Sequence, residues 1–481
     1  MKRKTTNMKA NQNPKANRHI LLLTYGVVGL FIGLAAYFGY FLSVKSENVI
    51  NNSYNARLDS FAERVVRGEI RSSDGRVLAR TEVDGEGKET RVYPYDSLFA
   101  HVVGYSANGK TGLEALSNFY LLTSHVNLVE QAVNEVSDIK NQGDHVISTL
   151  DVDLQKAAYD ALGNRKGAVV VMEPGTGKIL AMVSKPDYNP NTLQADWAGL
   201  VSEENTSGQL LNRAAQGLYP PGSTFKMVTA LEYMRENPEH YKDYTFDCDG
   251  IYENGEYAIK CYHETAHGHQ NLQQAFANSC NGAFASLGLL LNPSGLRTTA
   301  DQLLFNSDLP LSIAYSKSSY IMGAGADTWQ VLQTSIGQGQ TQITPLHNAM
   351  ITAAIANGGT LMRPYLIDHV ENSGGNMIKK FMPHSYGNLI TAEESAALTE
   401  LMRSVVTEGT GSALRTDAYT AAGKTGSAEF DKEKETHAWF VGFAPAEAPQ
   451  IVVSVIVEEG GAGGQTAAPI ARTLFDLYFS R

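Results

Sequence analysis

The chain has 481 residues, 43% of them hydrophobic, and a formal net charge of −11. That length predicts two or three domains around a substantial core. Six bases, Lys2, Arg3, Lys4, Lys9, Lys15 and Arg18, stand in the first 19 positions with no acid; the remainder carries 33 bases against 50 acids, a net −17, which argues against nucleic acid or an anionic membrane surface as its main partner. Residues 20–42 follow, 23 positions without a charge. As a helix that run covers roughly 34 Å, enough to cross a bilayer. The basic tail before it predicts residues 1–19 in the cytoplasm and the rest outside. Bulky Tyr37-Phe38 after Ala35-Ala36 makes a poor cleavage site, so the run reads as an uncleaved anchor in the cell membrane. A lipoprotein anchor does not fit, because the first cysteine is Cys248.

Residues 43–143 read as a small mixed domain. Positions 45–64 predict a helix leaving the membrane. Segments 67–71 and 74–79 predict strands around Asp74-Gly75. Extended pieces are expected at 92–98 and 101–105, and helices at 113–122 and 127–140. Residues 144–481 read as a larger α+β domain. A strand is expected at 144–149 and a helix at 151–162. Strands at 168–173 and 178–183 flank Pro174-Gly175-Thr176-Gly177. A helical middle runs from 213 to about 357, interrupted by loops. Strands at 419–426, 436–443 and 450–458 and a helix at 470–479 close the chain. The arrangement implies a mixed sheet assembled from both ends of the domain, with the helical part inserted between.

Cys248, Cys261 and Cys280 cluster within 33 residues, with His263, His267 and His269 between them. A Cys248–Cys261 disulfide leaving Cys280 as a thiol, a zinc site of Cys248, Cys261, His267 and Cys280, and buried free thiols all fit this spacing.

Short catalytic patterns recur along the chain. S-x-x-K occurs at Ser223–Lys226 and Ser137–Lys140; S-x-N at Ser46, Ser53, Ser106 and Ser279; K-T-G at Lys110 and Lys424. Gly104 to Thr111 also spells G-x-x-x-x-G-K-T, but lacks the long buried strand and helix that a nucleotide loop needs. Context selects among the copies. Only Ser223/Lys226, Ser279/Asn281 and Lys424/Thr425/Gly426 lie wholly in the larger domain. Ser223 follows Tyr219-Pro220-Pro221-Gly222 and opens an apolar segment. A serine and a lysine one turn apart share a helix face. Burial and the helix N-terminus both favour a neutral lysine there, able to take the serine's proton. The plainer reading of Ser223 is a helix N-cap; of Lys424, an edge-strand charge; of Ser279 and Asn281, loop capping. His437, beside Trp439, reads as a packing residue.

This residue set is that of the penicillin-binding and serine β-lactamase family. The lead-in to Ser223, Arg67-Gly68-Glu69-Ile70, Gly109 to Glu114, Thr149-Leu150-Asp151, Asp187 to Asn191, Gly337-Gln338-Gly339 and His437 to Gly442 narrow it. Over residues 60–481 the chain resembles the class B penicillin-binding proteins, in a short form without appended C-terminal modules. The resemblance implies a penicillin-binding transpeptidase domain on a small N-terminal pedestal, and a D,D-transpeptidase that cross-links peptidoglycan stem peptides, with weak D,D-carboxypeptidase side activity. It implies Ser223 as nucleophile, Lys226 as base, Ser279 as proton relay, Asn281 as positioner and Lys424 as carboxylate anchor. Thr425, Gly426 and Ser427 would bind substrate. Threonine is commoner than Ser427 in the family. No cofactor and no metal is implied. β-Lactams would be covalent inhibitors, and a membrane glycosyltransferase of the division or elongation machinery the protein partner. A hydrolase on the same fold and a non-enzymatic sensor are the competing readings.

Overall fold

The computed structural model describes residues 14–41, 63–137, 139–430 and 433–481. The chain divides into two units, 1–55 and 56–481. In the first, Pro14–Tyr40 is a single helix. Its stretch Arg18–Tyr40 has mean hydropathy 2.1 and apolar side chains that face outward. This helix is long and apolar enough to cross a membrane. Most of the helix expected at 45–64 falls outside the described residues.

The second unit contains two main sheets. One has six strands in the order Met377–Lys380, Ile367–Glu371, His145–Ser148, Ile70–Arg71, Val77–Val83, Glu89–Val92. All neighbours are antiparallel except Ile70–Arg71 beside His145–Ser148. The expected strand at 144–149 thus joins the N-terminal strands to a hairpin more than 200 residues later. The extended pieces expected at 92–98 and 101–105 are instead a 3-10 turn, Asp96–Phe99, and a helical turn, Ala100–Val103. His101, Val102 and Val103 are all buried, and a short continuous apolar run does not distinguish helix from strand. The Gly104–Thr111 stretch is a tight loop into the five-residue helix Gly112–Leu116, far from a nucleotide-loop context.

A buried ion network ties this region together. Arg67 Nε donates to Glu114 Oε2 at 2.7 Å and Arg67 Nη1 to Asn118 Oδ1 at 2.5 Å. Arg91 Nε donates to Glu114 Oε1 at 2.7 Å. Glu114 is completely buried; burial pushes its carboxyl up, but Arg67 and Arg91 outweigh that and hold it below the usual range.

The second sheet has five antiparallel strands in the order Ala422–Ala428, His437–Ala444, Ile451–Val457, Gly167–Met172, Ile179–Lys185. Strands from both ends of the domain therefore form one sheet. Both faces are covered. Val169 and Val171 pack in the layer with helices Val152–Leu162 and Gly463–Phe479, while Ala168 and Val170 face the layer holding Lys226–Glu236 and Pro345–Ala356. Burial on both sides explains strands that read as continuous apolar runs. The last helix begins two turns before position 470 and contains Pro469. Its first residues are glycines because a Cβ on Gly463 would lie 2.2 Å from the Trp439 oxygen, and one on Gly464 2.4 Å from the Thr410 oxygen.

The middle is not wholly helical. Thr245–Cys248 pairs with Gly268–Asn271, and Ile251–Asn254 with Tyr257–Lys260 around Gly255 at φ +63°. Asn254-Gly255 is the hairpin signal that the helical expectation passed over.

Replacing Glu114 by alanine leaves the guanidinium groups of Arg67 and Arg91 without their shared carboxylate. The expected loss is about 3–5 kcal/mol, measurable as a lower denaturant midpoint; a midpoint equal to that of the parent would show the network to be dispensable.

Candidate active site

The 3-10 turn Gly222–Phe225 runs directly into the α-helix Lys226–Glu236. The Gly222 N–H donates to the Gly337 carbonyl at 2.9 Å. Gly337 has φ +81°, and a Cβ there would stand 1.9 Å from the Gly222 oxygen. Glycine is what lets two backbones meet beside Ser223. From the sheet, Trp439 Nε1 donates to the Pro220 carbonyl at 3.0 Å. Tyr219 OH and Arg213 Nε both donate to Glu458 Oε1 at 2.7 Å. The Pro-Pro-Gly lead-in is thus held from three sides.

Ser279 and Asn281 sit at a helix junction. The helix Leu272–Ala277 ends with Ser279 N–H donating to the Phe276 carbonyl at 3.1 Å and Cys280 N–H to the Ala275 carbonyl at 2.9 Å. These two bonds define a Schellman cap, whose left-handed position glycine usually fills. Ser279 occupies it instead, at φ +56°. Left-handed backbone in a non-glycine residue costs of order 1–3 kcal/mol and is a mark of functional sites. Cys280 then caps the next helix, Asn281–Leu290.

Lys424, Thr425, Gly426 and Ser427 lie on the edge strand Ala422–Ala428. This strand packs against the turn that carries Ser223: a Cβ on Gly222 would touch Ala428 at 3.0 Å.

The three segments meet at one hydroxyl. Lys424 Nζ donates to Ser279 Oγ at 2.9 Å. Lys226 Nζ reaches the same oxygen at 3.4 Å, and donates to Ser279 O and to Asn281 Oδ1, both at 2.7 Å. Both lysines are fully buried. Burial lowers Lys226 to about 8 against the opposing pull of Cys280 and Cys261. Burial, then the charge of Lys226, pushes Lys424 well below the ordinary lysine range. Ser223, Ser279, Asn281, Thr425, Gly426 and Ser427 line a cleft of about 650 Å³, with the two lysines behind it.

The other copies of the patterns lie elsewhere. Ser137 ends an exposed helix, and Lys140 Nζ pairs with Glu89 Oε1 at 2.6 Å. Lys110 precedes the turn into Gly112–Leu116. His437 stacks on Phe430 at 4.0 Å and accepts from the Glu459 N–H, as a packing residue would. Sequence reasoning missed Thr410, whose hydroxyl is 2.6 Å from that of Thr425. Its signal was the Gly409-Thr410-Gly411 turn, docked by Thr410 N–H on the Ala277 carbonyl at 3.1 Å.

Replacing Gly337 by alanine displaces the peptide before Ser223. The variant is expected to keep its circular dichroism spectrum while reacting with labelled penicillin about a hundredfold more slowly. An unchanged rate would show that the loop relaxes without moving Ser223.

Residues 167–476 match the family model of the penicillin binding protein transpeptidase domain, and residues 67–146 that of the penicillin binding protein A dimerisation domain. The chain is similar to peptidoglycan D,D-transpeptidase PbpA of Mycolicibacterium smegmatis, 34% identical over 452 residues that span 86% of this chain and 89% of the relative. It is 32% identical over 450 residues to PbpA of Mycobacterium tuberculosis, spanning 87% and 90%. Among solved structures, a ceftriaxone acyl-enzyme complex of penicillin-binding protein A from M. tuberculosis matches with TM-score 0.77 and 31% identity, covering 87% of this chain and 99% of that one. The D,D-transpeptidase domain of a peptidoglycan glycosyltransferase from Eggerthella lenta matches with TM-score 0.78 and 32% identity, covering 87% and 99%. The chain belongs to the class B penicillin-binding proteins, with a transpeptidase domain following a smaller N-terminal domain.

Proposed function

We propose that this protein is a serine-type peptidoglycan D,D-transpeptidase of cell wall synthesis, and that Ser223 is its nucleophile. One observation carries the reading: a single hydroxyl, that of Ser279, lies between two buried lysines at the floor of the cleft that Ser223 lines. A merely capping serine needs no such neighbours.

The proposed steps use the groups that line and back the cleft. Neutral Lys226 takes the Ser223 proton as Oγ attacks the carbonyl between the two terminal D-alanines of a stem peptide. The developing oxyanion is held by the backbone N–H groups of Ser223 and Ser427, worth about 2.7–4 kcal/mol each. The peptide C–N bond breaks, and the Ser279 hydroxyl passes a proton toward the departing D-alanine amine. A second stem's amine then attacks the ester and gives up a proton to the base; the acyl C–O bond breaks, the Ser223 oxygen takes the proton back from protonated Lys226, and the cross-link is formed. Asn281 holds Lys226 through Oδ1 at 2.7 Å. Lys424 and Thr425 take the terminal carboxylate, and an incoming carboxylate restores the charge that burial removes from Lys424. The extended substrate pairs with the edge strand Ala422–Ala428 where Thr425, Gly426 and Ser427 line the cleft. A β-lactam acylates the same Ser223 oxygen as its ring C–N bond opens, and the resulting ester stalls there.

The helix Pro14–Tyr40 anchors the protein with residues 1–19 in the cytoplasm and the catalytic part outside, in accord with the basic tail. We assign residues 43–143 to the pedestal and 144–481 to the transpeptidase domain. A membrane glycosyltransferase is the partner proposed for the anchor and pedestal.

Labelled penicillin tests the site. The parent chain should form a long-lived adduct, and Ser223→Ala none; an adduct that survives Ser223→Ala would refute the assignment, and rapid loss of label would point to a hydrolase. Protonated Lys226 cannot accept a proton, so acylation should rise about tenfold per pH unit below about 8 and level off above it. A rate independent of pH from 6 to 9 would remove Lys226 from the role of base.

A further inference from the structure

The cysteine cluster that the sequence left open lies directly behind the Ser279–Asn281 segment. Cys261 Sγ stands 3.7 Å from both Cys248 Sγ and Cys280 Sγ, and Cys248 Sγ is 3.3 Å from His267 Nδ1. All four ligand atoms lie within 4.8 Å of one another. Zinc–sulfur bonds of about 2.3 Å set at the tetrahedral angle separate two sulfurs by about 3.8 Å, and a sulfur from an imidazole nitrogen by about 3.5 Å. The contacts match that figure for three of the six edges. The three thiols are free and buried, and His267 is half-buried at the wall of the cleft. A disulfide fits less well: Cys261 is equidistant from two partners, and bonding either one strands the other thiol and the imidazole.

The fold around the cluster supplies a reason for a metal. Positions 245–271 form two small hairpins in which only Cys248, Gly250, Ile259, Cys261 and Gln270 are buried. A segment of 27 residues with so little apolar interior lacks a core of its own and needs a staple. The backbone is already wrapped for one. The Cys261 N–H donates to the Gly250 carbonyl at 2.9 Å, and Cys248 pairs with Gly268 across the outer hairpin.

We propose that Cys248, Cys261, His267 and Cys280 bind one zinc ion, which clamps the hairpins to the helix junction bearing Ser279 and Asn281. Three thiols lose their protons on binding and the imidazole binds neutral, giving a closed tetrahedral site without an open position. The clamp reaches the catalytic groups by a short route. Cys280 is the residue between Ser279 and Asn281. Lys260, next to Cys261, accepts from Asn281 Nδ2 at 2.9 Å, and this bond turns Asn281 Oδ1 toward Lys226. The metal is thus a positioning element for the Lys226 partners, a consequence that rests on the reading of Ser223 and Lys226 above; the presence of the metal does not.

The test uses the full-length chain purified in detergent and dialysed against metal-free buffer. Elemental analysis should find about one zinc per chain. A chelator should remove it and expose three thiols to a thiol reagent, and cobalt(II) added to the stripped chain should produce the intense visible absorption of a tetrahedral cobalt thiolate. Cys261→Ser should weaken zinc binding at least about a hundredfold, and His267→Ala about tenfold or more. A chain that holds no zinc and takes up neither zinc nor cobalt while its thiols are reduced would overturn the proposal. So would a mass lower by two hydrogens, which reports a disulfide, or full zinc retention by both variants. Stripping should also slow penicillin acylation at least about tenfold, restored by zinc. An unaltered acylation rate would refute the positioning role alone, and a label surviving Ser223→Ala would refute the catalytic reading alone.

Discussion

Two lysine side chains with no exposure to solvent, converging on one serine hydroxyl, set the terms for everything around them. Burying an ammonium costs several kcal/mol unless it is paired, and among the described residues no carboxylate pairs with either lysine. The hydrogen bonds come instead from neutral acceptors: the Ser279 carbonyl and hydroxyl, the Asn281 amide and the Thr425 carbonyl. Neutral acceptors satisfy an amine without fixing its charge. That is the condition a base needs, since a carboxylate in the same place would hold the proton. Phe276 and Phe284 close the floor, their rings 5.5 and 5.4 Å from the Lys424 and Lys226 nitrogens, and they exclude water without adding charge.

The Ser279 acceptors exist only because the backbone there is left-handed. At φ +56° the residue is strained, and the strain persists because several bonds determine it at once. The two Schellman hydrogen bonds hold the turn from the preceding helix. The Cys280 cap on the Ala283 N–H, at 3.4 Å, holds it from the following one. The lysines themselves complete the frame. The two serines thus reach the cleft by different devices. Ser223 is delivered by a glycine with positive φ, so its own backbone is relaxed. Ser279 carries the positive φ itself, and its side chain points where a glycine would offer nothing.

These differences explain how much could be read from the sequence. Ser223 and Lys226 were legible because helical spacing and the Pro-Pro-Gly lead-in are local. The five-stranded sheet was legible because burial on both faces writes continuous apolar runs such as 168–173 and 450–458. The Schellman geometry was not, because serine is no marker of a left-handed residue. The hairpins at 245–271 were missed because their exposed, polar strands show little alternation; only Asn254-Gly255 signalled a turn. Gly463, Gly464 and Pro469 concealed the start of the last helix. There packing against the Trp439 and Thr410 carbonyls, at 2.2 and 2.4 Å from the absent Cβ atoms, overrode propensity. Thr410 went unnoticed because its meaning lies in a contact with Thr425 that no local pattern encodes.

The electrostatics of the whole chain narrow how such a site captures its substrate. The part beyond the basic tail carries a net −17, so its distant field does not attract a peptide ending in a carboxylate. At physiological ionic strength that repulsion fades beyond about 8 Å. Inside the cleft the role proposed for Lys424 reverses the balance, because this buried lysine gains a charge-assisted hydrogen bond only when a carboxylate arrives. On that proposed role, capture is short-ranged and specific to a terminus that fits between Thr425 and the Ser279 hydroxyl. Long-range steering is then of little use to such an enzyme, and local concentration of the donor strand matters more. The membrane anchor proposed above meets that requirement by keeping the enzyme near its polymeric substrate.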